Sequence, residues 1–305
     1  MKKSTKIALI VAGGCIALGI ILCALGLVFI EDHIMNINVR RFSQTTHEIE
    51  EEIHSISVEE IECDVRILVS SDGTRRVECS DGDRIFSVVK VNDGTLKVKR
   101  IDDRRWYEHI GIWWNHTPTL NIYLPEGEYE SLDILTVSGD VEIPTSFKFK
   151  DVNVKSTSGD ISSFCRVTDG LTAESTSGDV TVRGVQGGEA EVTTTSGEID
   201  ISDVDAVALS VKTTSGDIEL YRIKLDTMMS VYSVSGDIDI DASDAASLEL
   251  ESTSGDIDAV LLSSKNFITD TVSGDVSVPP SDTNAGRCSV TTTSGDVLIK
   301  LKVEN

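Results

Sequence analysis

The chain has 305 residues, enough to bury a substantial core, and 27 Lys and Arg against 51 Asp and Glu leave a net charge of −24. Affinity for nucleic acid comes largely from Lys and Arg neutralising phosphates, so this balance argues against a nucleic-acid partner and disfavours binding to an anionic lipid surface. An apolar content of 40% excludes a disordered tail, and five prolines with 5% aromatics suit a regular, β-branched architecture.

Residues 1–6, MKKSTK, precede the uncharged stretch IALIVAGGCIALGIILCALGLVFI at 7–30. As a helix these residues rise about 36 Å, enough to cross a hydrocarbon core of about 30 Å. Lys2, Lys3 and Lys6 lie before the stretch and Glu31 and Asp32 after it. The positive-inside rule therefore predicts a single-pass transmembrane helix, with a cytoplasmic N-terminus and everything after residue 30 outside the membrane. A cleaved signal peptide is the alternative, with Ala24-Leu25-Gly26 as a weak cleavage site. A lipid-modified Cys15 fits less well, because Ala12 stands where such a signal usually has Leu.

Residues 31–130 read as a β-rich cap. IHSISVEE, DVRILVSS, RRVECS, IFSVVKV, TLKVKRI and TLNIYLP are strand-like, and Asp72-Gly73, Asp81-Gly82 and Asp93-Gly94 mark turns between them, which predicts a meander. The run RIDDRRWYEHIGIWWNHTPT contains all three tryptophans. Trp106, Tyr107, Trp113 and Trp114 either plug the junction between cap and repeats or, beside Arg104 and Arg105, form a contact site for a sugar or a protein. Outside the membrane stretch the cysteines are Cys63, Cys79, Cys165 and Cys288, without C-x-x-C spacing. Cys165 and Cys288 read as buried thiols too far apart to bridge; Cys63 and Cys79, on neighbouring predicted strands, leave a disulfide open.

From residue 131 the chain repeats itself. Ser-Gly-Asp (once Ser-Gly-Glu) followed by Ile or Val recurs with its serine at 138, 158, 177, 196, 215, 235, 254, 273 and 294. Steps of 19 to 21 residues are the mark of a solenoid in which each unit leans on its neighbours. Apolar residues six and four before the serine, and three and five after it, alternate with polar ones, so each unit has a strand on either side of the motif with one face inward. Ser-Gly-Asp is the corner between them, where Gly supplies unusual backbone angles and Ser and Asp bond nearby N–H groups. The reading for 131–305 is a parallel β-solenoid of about nine 19–20-residue coils, right-handed by the crossover preference and about 43 Å long if the coils stack in order.

Stacking turns positions into columns. Two residues before the serine stand Thr136, Ser156, Ser175, Thr194, Thr213, Ser233, Ser252, Thr271 and Thr292, hydroxyls expected to face inward and bond to one another or to the corner backbone. Two residues after it stand Asp140, Asp160, Asp179, Glu198, Asp217, Asp237, Asp256, Asp275 and Asp296. Like charges at this spacing cost about 1 kcal/mol per neighbouring pair in water. The column reads as a structural turn ladder. A stripe that binds Ca²⁺ weakly is a second reading, although one carboxylate per coil does not supply the six to eight oxygens that ion takes. Paired carboxylates for glycoside hydrolysis are a third, without a pair that stands out from the rest. His33, His47, His54, His109 and His116 all precede the repeats, so no Ser-His-Asp set forms within them. No catalytic, cofactor-binding or metal-binding residue is assigned. The closing VLIKLKVEN is read as an edge strand, with Val297, Ile299, Leu301 and Val303 inward and Lys300 and Lys302 guarding the edge.

The repeated T-x-S-G-D-[IV], the N-terminal membrane stretch and the DGTLKV…LNIYLP run resemble a family of bacterial cell-envelope β-solenoid proteins of unknown function, common in Gram-positive bacteria and regarded as candidate adhesins. The resemblance covers roughly residues 45–305. It implies an exposed solenoid with a role in adhesion or envelope stress, and carries over no catalytic residue. The expectation is a non-enzymatic, membrane-anchored, extracytoplasmic surface element whose partner is a cell-wall polysaccharide or a protein. A carbohydrate-active β-helix and a Ca²⁺-stiffened rod are the alternatives.

Overall fold

The computed structural model describes residues 18–20, 42–104 and 117–302. The chain divides into two units, Met1–Arg41 and Phe42–Asn305. In the first, the described residues 18–20 are helical; among the described residues no helix is long and apolar enough to cross a membrane. The rest of the 7–30 stretch lies outside the described residues.

The second unit is all β. Its cap strands are β1 (Ser43–Ile49), β2 (Ser55–Glu59), β3 (Asp64–Val69), β4 (Arg75–Asp81), β5 (Ile85–Asn92), β6 (Thr95–Asp102) and β7 (Thr119–Leu124). The coils begin with short strands: β8 (Gly127–Thr136), β9 (Val141–Ile143), β10 (Phe147–Ser158), β11 (Ile161–Ser163), β12 (Arg166–Ser177), β13 (Val180–Arg183) and β14 (Glu189–Ser196). Three long ones follow, β15 (Ile199–Ser215), β16 (Ile218–Ser235) and β17 (Ile238–Ser254), each running from one corner round to the next. The chain ends with β18 (Ile257–Leu261), β19 (Asn266–Ser273), β20 (Val276–Ser277), β21 (Arg287–Ser294) and β22 (Val297–Leu301).

The alternation in the sequence is realised as two parallel ladders that meet at the Ser-Gly-Asp corner. Before the corner, β8, β10, β12, β14, β15, β16 and β17 stack in chain order. Leu132, Val152, Leu171, Ala190, Leu209, Met229 and Leu248 form one buried file, and Ile134, Val154, Ala173, Val192, Val211, Val231 and Leu250 another. After the corner, Val141, Ile161, Val180, Ile199, Ile218, Ile238, Ile257 and Val297 form a third. A second bend closes the long coils through left-handed backbone at Asp203, Arg222 and Ala242. Arg222 grips Asp203 of the coil below through Nε and Nη2, at 2.6 and 2.7 Å.

The ladders begin before residue 131. β2 pairs in parallel with β8, setting Ile56 opposite Leu132 and Val58 opposite Ile134. β3 pairs in parallel with β9, setting Val65 opposite Val141. Residues 56–67 thus form a coil without the motif, in which Glu62-Cys63-Asp64 takes the place of Ser-Gly-Asp. β6 and β7 lie parallel to β2 and β3 one layer further out, while β5 on β6, β4 on β7 and β1 on β4 are antiparallel. The cap is therefore a mixed extension of the solenoid rather than a meander: residues sharing the inward alternation extend a parallel ladder, the tight turn at Asp93-Gly94 folds β5 back on β6, and β4 adds to β7 and β1 to β4 across longer connections.

At the other end the order of the coils changes. β21 pairs with β17, and β19 pairs with the far side of β21. β22 likewise lies between β18 and β20. The ninth coil, carrying Ser294, is inserted between the seventh and the eighth, so the stack ends on the eighth. β22 is consequently interior at Val297 and Leu298, while Lys300, further along, is paired only on its β18 side among the described residues. In this ladder the end strand, β20, is two residues long and runs into Pro279-Pro280, which blunts its part of the edge by shortness and proline.

Candidate functional site

The corner column is the feature the sequence repeats most, and three main-chain interactions build each step of it. The Gly159 N–H donates to the Ser177 carbonyl at 3.2 Å and the Ile161 N–H to the Asp179 carbonyl at 2.9 Å, both one coil ahead. The Asp179 N–H donates back to Asp160 Oδ1 at 2.9 Å. The same carboxylate bond joins Asp140 to Asp64, Asp160 to Asp140, Glu198 to Asp179, Asp237 to Asp217, Asp256 to Asp237, Asp296 to Asp256 and Asp275 to Asp296. Asp is thus required for a bond between coils rather than within its own turn. Glu198 interrupts the chain: among the described residues no such bond joins the Asp217 N–H to it.

Glycine is needed for a second reason. A Cβ on Gly216 would collide with the Gly197 carbonyl of the adjacent coil, and Gly216 itself sits at φ +141°. Cys63 holds the equivalent position in the coil without the motif.

The hydroxyl column faces inward, as its parity predicts. Ser175 Oγ and Thr194 Oγ1 donate to the carbonyls of Gly159 and Gly178, at 3.4 and 3.2 Å. Among the described residues, the hydroxyls of Thr136, Ser156, Thr213, Ser233, Ser252, Thr271 and Thr292 have no hydrogen-bond partner. The expected mutual bonding does not form, because hydroxyls one strand spacing apart, about 4.8 Å, cannot reach each other directly.

Two residues beyond the acid column, a second outward file carries Asp200, Glu219, Asp239 and Asp258 in register, followed by Leu298. Asp200 lies 3.6 Å from Arg183; among the described residues the other three have no ion-pair partner. Partial desolvation, then the neighbouring carboxylates, push Glu198 and Asp239 above the usual carboxylate range. A shallow groove of about 170 Å³ is lined here by Asp239, Asp241, Asp258, Val260, Leu298 and Lys300. Sequence reading passed over this file because the same position is Glu142, Ser162, Thr181, Ser277 and Leu298 in the other coils; aligning the repeats for outward as well as inward positions would have found it. Trp106, Tyr107, Trp113 and Trp114 lie outside the described residues.

Cys63, Cys79, Cys165 and Cys288 are buried free thiols. Burial pushes the Cys165 thiol up to about 11 and those of Cys79 and Cys288 up to about 12. Cys79 lies opposite Leu120, and Leu120 opposite Val65, so β7 separates the strands near the two cap cysteines. Two strand spacings, about 9.6 Å, exceed the reach of a disulfide.

The family model described as Toastrack DUF4097 matches residues 53–266 and 243–304. No curated protein matches the chain. Among solved structures, a candidate adhesin from Bacteroides fragilis is similar at 17% identity and TM-score 0.48, over 85% of this chain and 97% of that one. A candidate lipid-binding protein from Parabacteroides distasonis matches at 18% identity and TM-score 0.40, over 87% and 98%. A candidate adhesin from Parabacteroides merdae matches at 9% identity and TM-score 0.39, over 84% and 96%.

Proposed function

The chain belongs to the Toastrack DUF4097 family, and on that premise we propose that it is a non-enzymatic, single-pass membrane protein whose solenoid stands outside the membrane as a binding or scaffold element of the cell envelope. The observation that carries this reading is the use made of the acid column: a carboxylate oxygen of Asp160, Asp179, Asp217, Asp237 and Asp256 accepts the N–H of the next coil. Carboxylates committed along the file do not converge on a shared substrate. Anchoring is supported by the uncharged stretch 7–30 between Lys6 and Glu31. The partner is an envelope polysaccharide or protein, and Trp106, Tyr107, Trp113 and Trp114 are the contact candidates by composition.

The groove beside Asp239 and Asp258 is where the competing reading, a carbohydrate-active β-helix, would have to place its acid pair. The full chain in its membrane separates the two. External protease should reach residues 31–305, and the extracted protein should retain envelope polysaccharide or protein without cleaving it. Hydrolysis that disappears in a folded Asp239→Asn, Asp258→Asn variant would replace the binding reading with the enzymatic one. A melting temperature that climbs with millimolar Ca²⁺ and falls with EDTA would support the Ca²⁺-stiffened rod instead.

A further inference from the structure

The hydroxyl column ends in buried charge. The register that sets Glu59 opposite both Lys99 and Leu135 places Glu60 between Arg100 and Thr136, in the file that carries Ser or Thr in all nine motif coils. The side chains of Glu60 and Arg100 are fully buried. Arg100 gives its hydrogen bonds elsewhere: Nη1 donates to Asp81 Oδ1 at 3.2 Å and to Ser87 Oγ at 3.0 Å, and Nη2 to the Ser80 carbonyl at 2.8 Å. Its Nε lies 3.9 Å from Glu60 Oε2 and, among the described residues, has no hydrogen-bond partner; neither has Glu60 Oε1. Glu60 Oε2 accepts the Ile61 N–H at 3.3 Å, and the Cys63 thiol also bonds the carboxyl.

One guanidinium thus stands between two carboxyl groups, bonded to Asp81 and short of bonding distance to Glu60. Among the described residues, the titratable and charged groups around Glu60 are Arg100 from β6, Asp81 and Cys79 from β4, and Cys63 and Glu62 on its own segment, with Thr136 of β8 beside it in register. Arg104 is engaged with Glu62 and Asp102, which leaves Arg100, among the described residues, as the cation that answers Glu60. We propose that Glu60 and Arg100 form a proton-operated latch between the cap and the first coil. With Glu60 protonated, Arg100 is held by Ser80, Asp81 and Ser87 and pins the corner between β4 and β5. With Glu60 ionised, the guanidinium turns toward it and that corner is released. Burial, opposed by Arg100, raises the proton affinity of Glu60 above that of an ordinary carboxylate, which moves the change toward neutral pH. The inference does not depend on what the solenoid binds.

The test is residue-resolved hydrogen exchange on the full chain between about pH 5 and pH 8, corrected for the intrinsic rate. The reporter is the Ser87 amide, which donates to Asp81 Oδ1 at 2.9 Å. Linkage to one proton predicts exchange rising about tenfold per pH unit across the transition, while the Val192 amide in the solenoid stays level. Glu60→Gln, a neutral isostere, should hold Ser87 at its protected rate throughout. A level Ser87 profile in the wild type, or an unchanged rise in a folded Glu60→Gln, overturns the proposal. If that variant does not fold, ¹³C and ¹⁵N titration of the wild type decides: the Glu60 carboxyl and Arg100 Nε must titrate together, and independent titration refutes the latch.

Discussion

The Asp237 N–H donates to Asp217 Oδ1 at 2.9 Å, across 20 residues of chain and one layer of the stack. A column of like charges therefore persists because the aspartates from Asp140 to Asp256, and Asp296, each accept the N–H of the adjacent coil, with Glu198 the exception inside the column. Repulsion of about 1 kcal/mol per pair in water is offset by a charge-assisted bond of similar size.

That account separates the oxygen from the charge. Asp217→Asn keeps an oxygen for the Asp237 N–H and removes one repelling charge, so it should leave stability unchanged or slightly higher. Asp217→Ala removes the acceptor and should cost about 1 kcal/mol. Urea unfolding of both variants checks the order; equal losses would mean that the charge itself is what the column requires.

Glycine at the corner should matter according to depth in the stack. Gly216 is flanked by coils on both sides, so Gly216→Ala forces two layers apart and should cost about 3 kcal/mol. Gly274→Ala meets the Gly295 carbonyl in the same way, but the eighth coil has no coil beyond it and can shift outward. A loss of about 1 kcal/mol or less is expected there. Thermal melts of the two variants give the comparison.

The exchange of places between the last two coils predicts an inverted protection pattern. Amides of β19 and β20, on the open end, should exchange faster than those of β21 and β22, although the latter are nearer the C-terminus of the chain. The exposed Val272, at 82%, belongs to this end layer. Hydrogen exchange that rises steadily toward the C-terminus would contradict the inserted order.

Stability should increase on mild acidification. Glu60, Glu198 and Asp239 have raised affinities for their protons, mainly through desolvation. A carboxyl whose folded pKa exceeds its unfolded value contributes stability that is complete below the unfolded value and lost as pH rises through the folded one. Asp72, Glu128 and Asp203 are shifted the opposite way by hydrogen bonds and ion pairs, so their contribution is lost as pH falls below the ordinary carboxylate range. Urea midpoints should therefore rise from about pH 7 to about pH 5 and fall below about pH 4.

The motif-less coil left a trace in the sequence: in Glu62-Cys63-Asp64-Val65, the acid and the β-branched residue after it survive. It escaped notice because Cys63 replaces the glycine that announces the other corners, and Glu60 the hydroxyl. The step of 21 residues from Ser273 to Ser294, with Pro279-Pro280 inside it, was the mark of the displaced coil.

Period, inward faces and corner positions were determined by the sequence, because each follows from alternation within a few residues and from where a Cβ cannot fit. The order of the coils and the extent of the ladder were decided by the tertiary structure alone. Parallel main-chain bonds and β-branched files accept any coil of the same period, so the linkers through residues 262–265 and 279–286 can carry the eighth coil over the ninth with no change in the repeat.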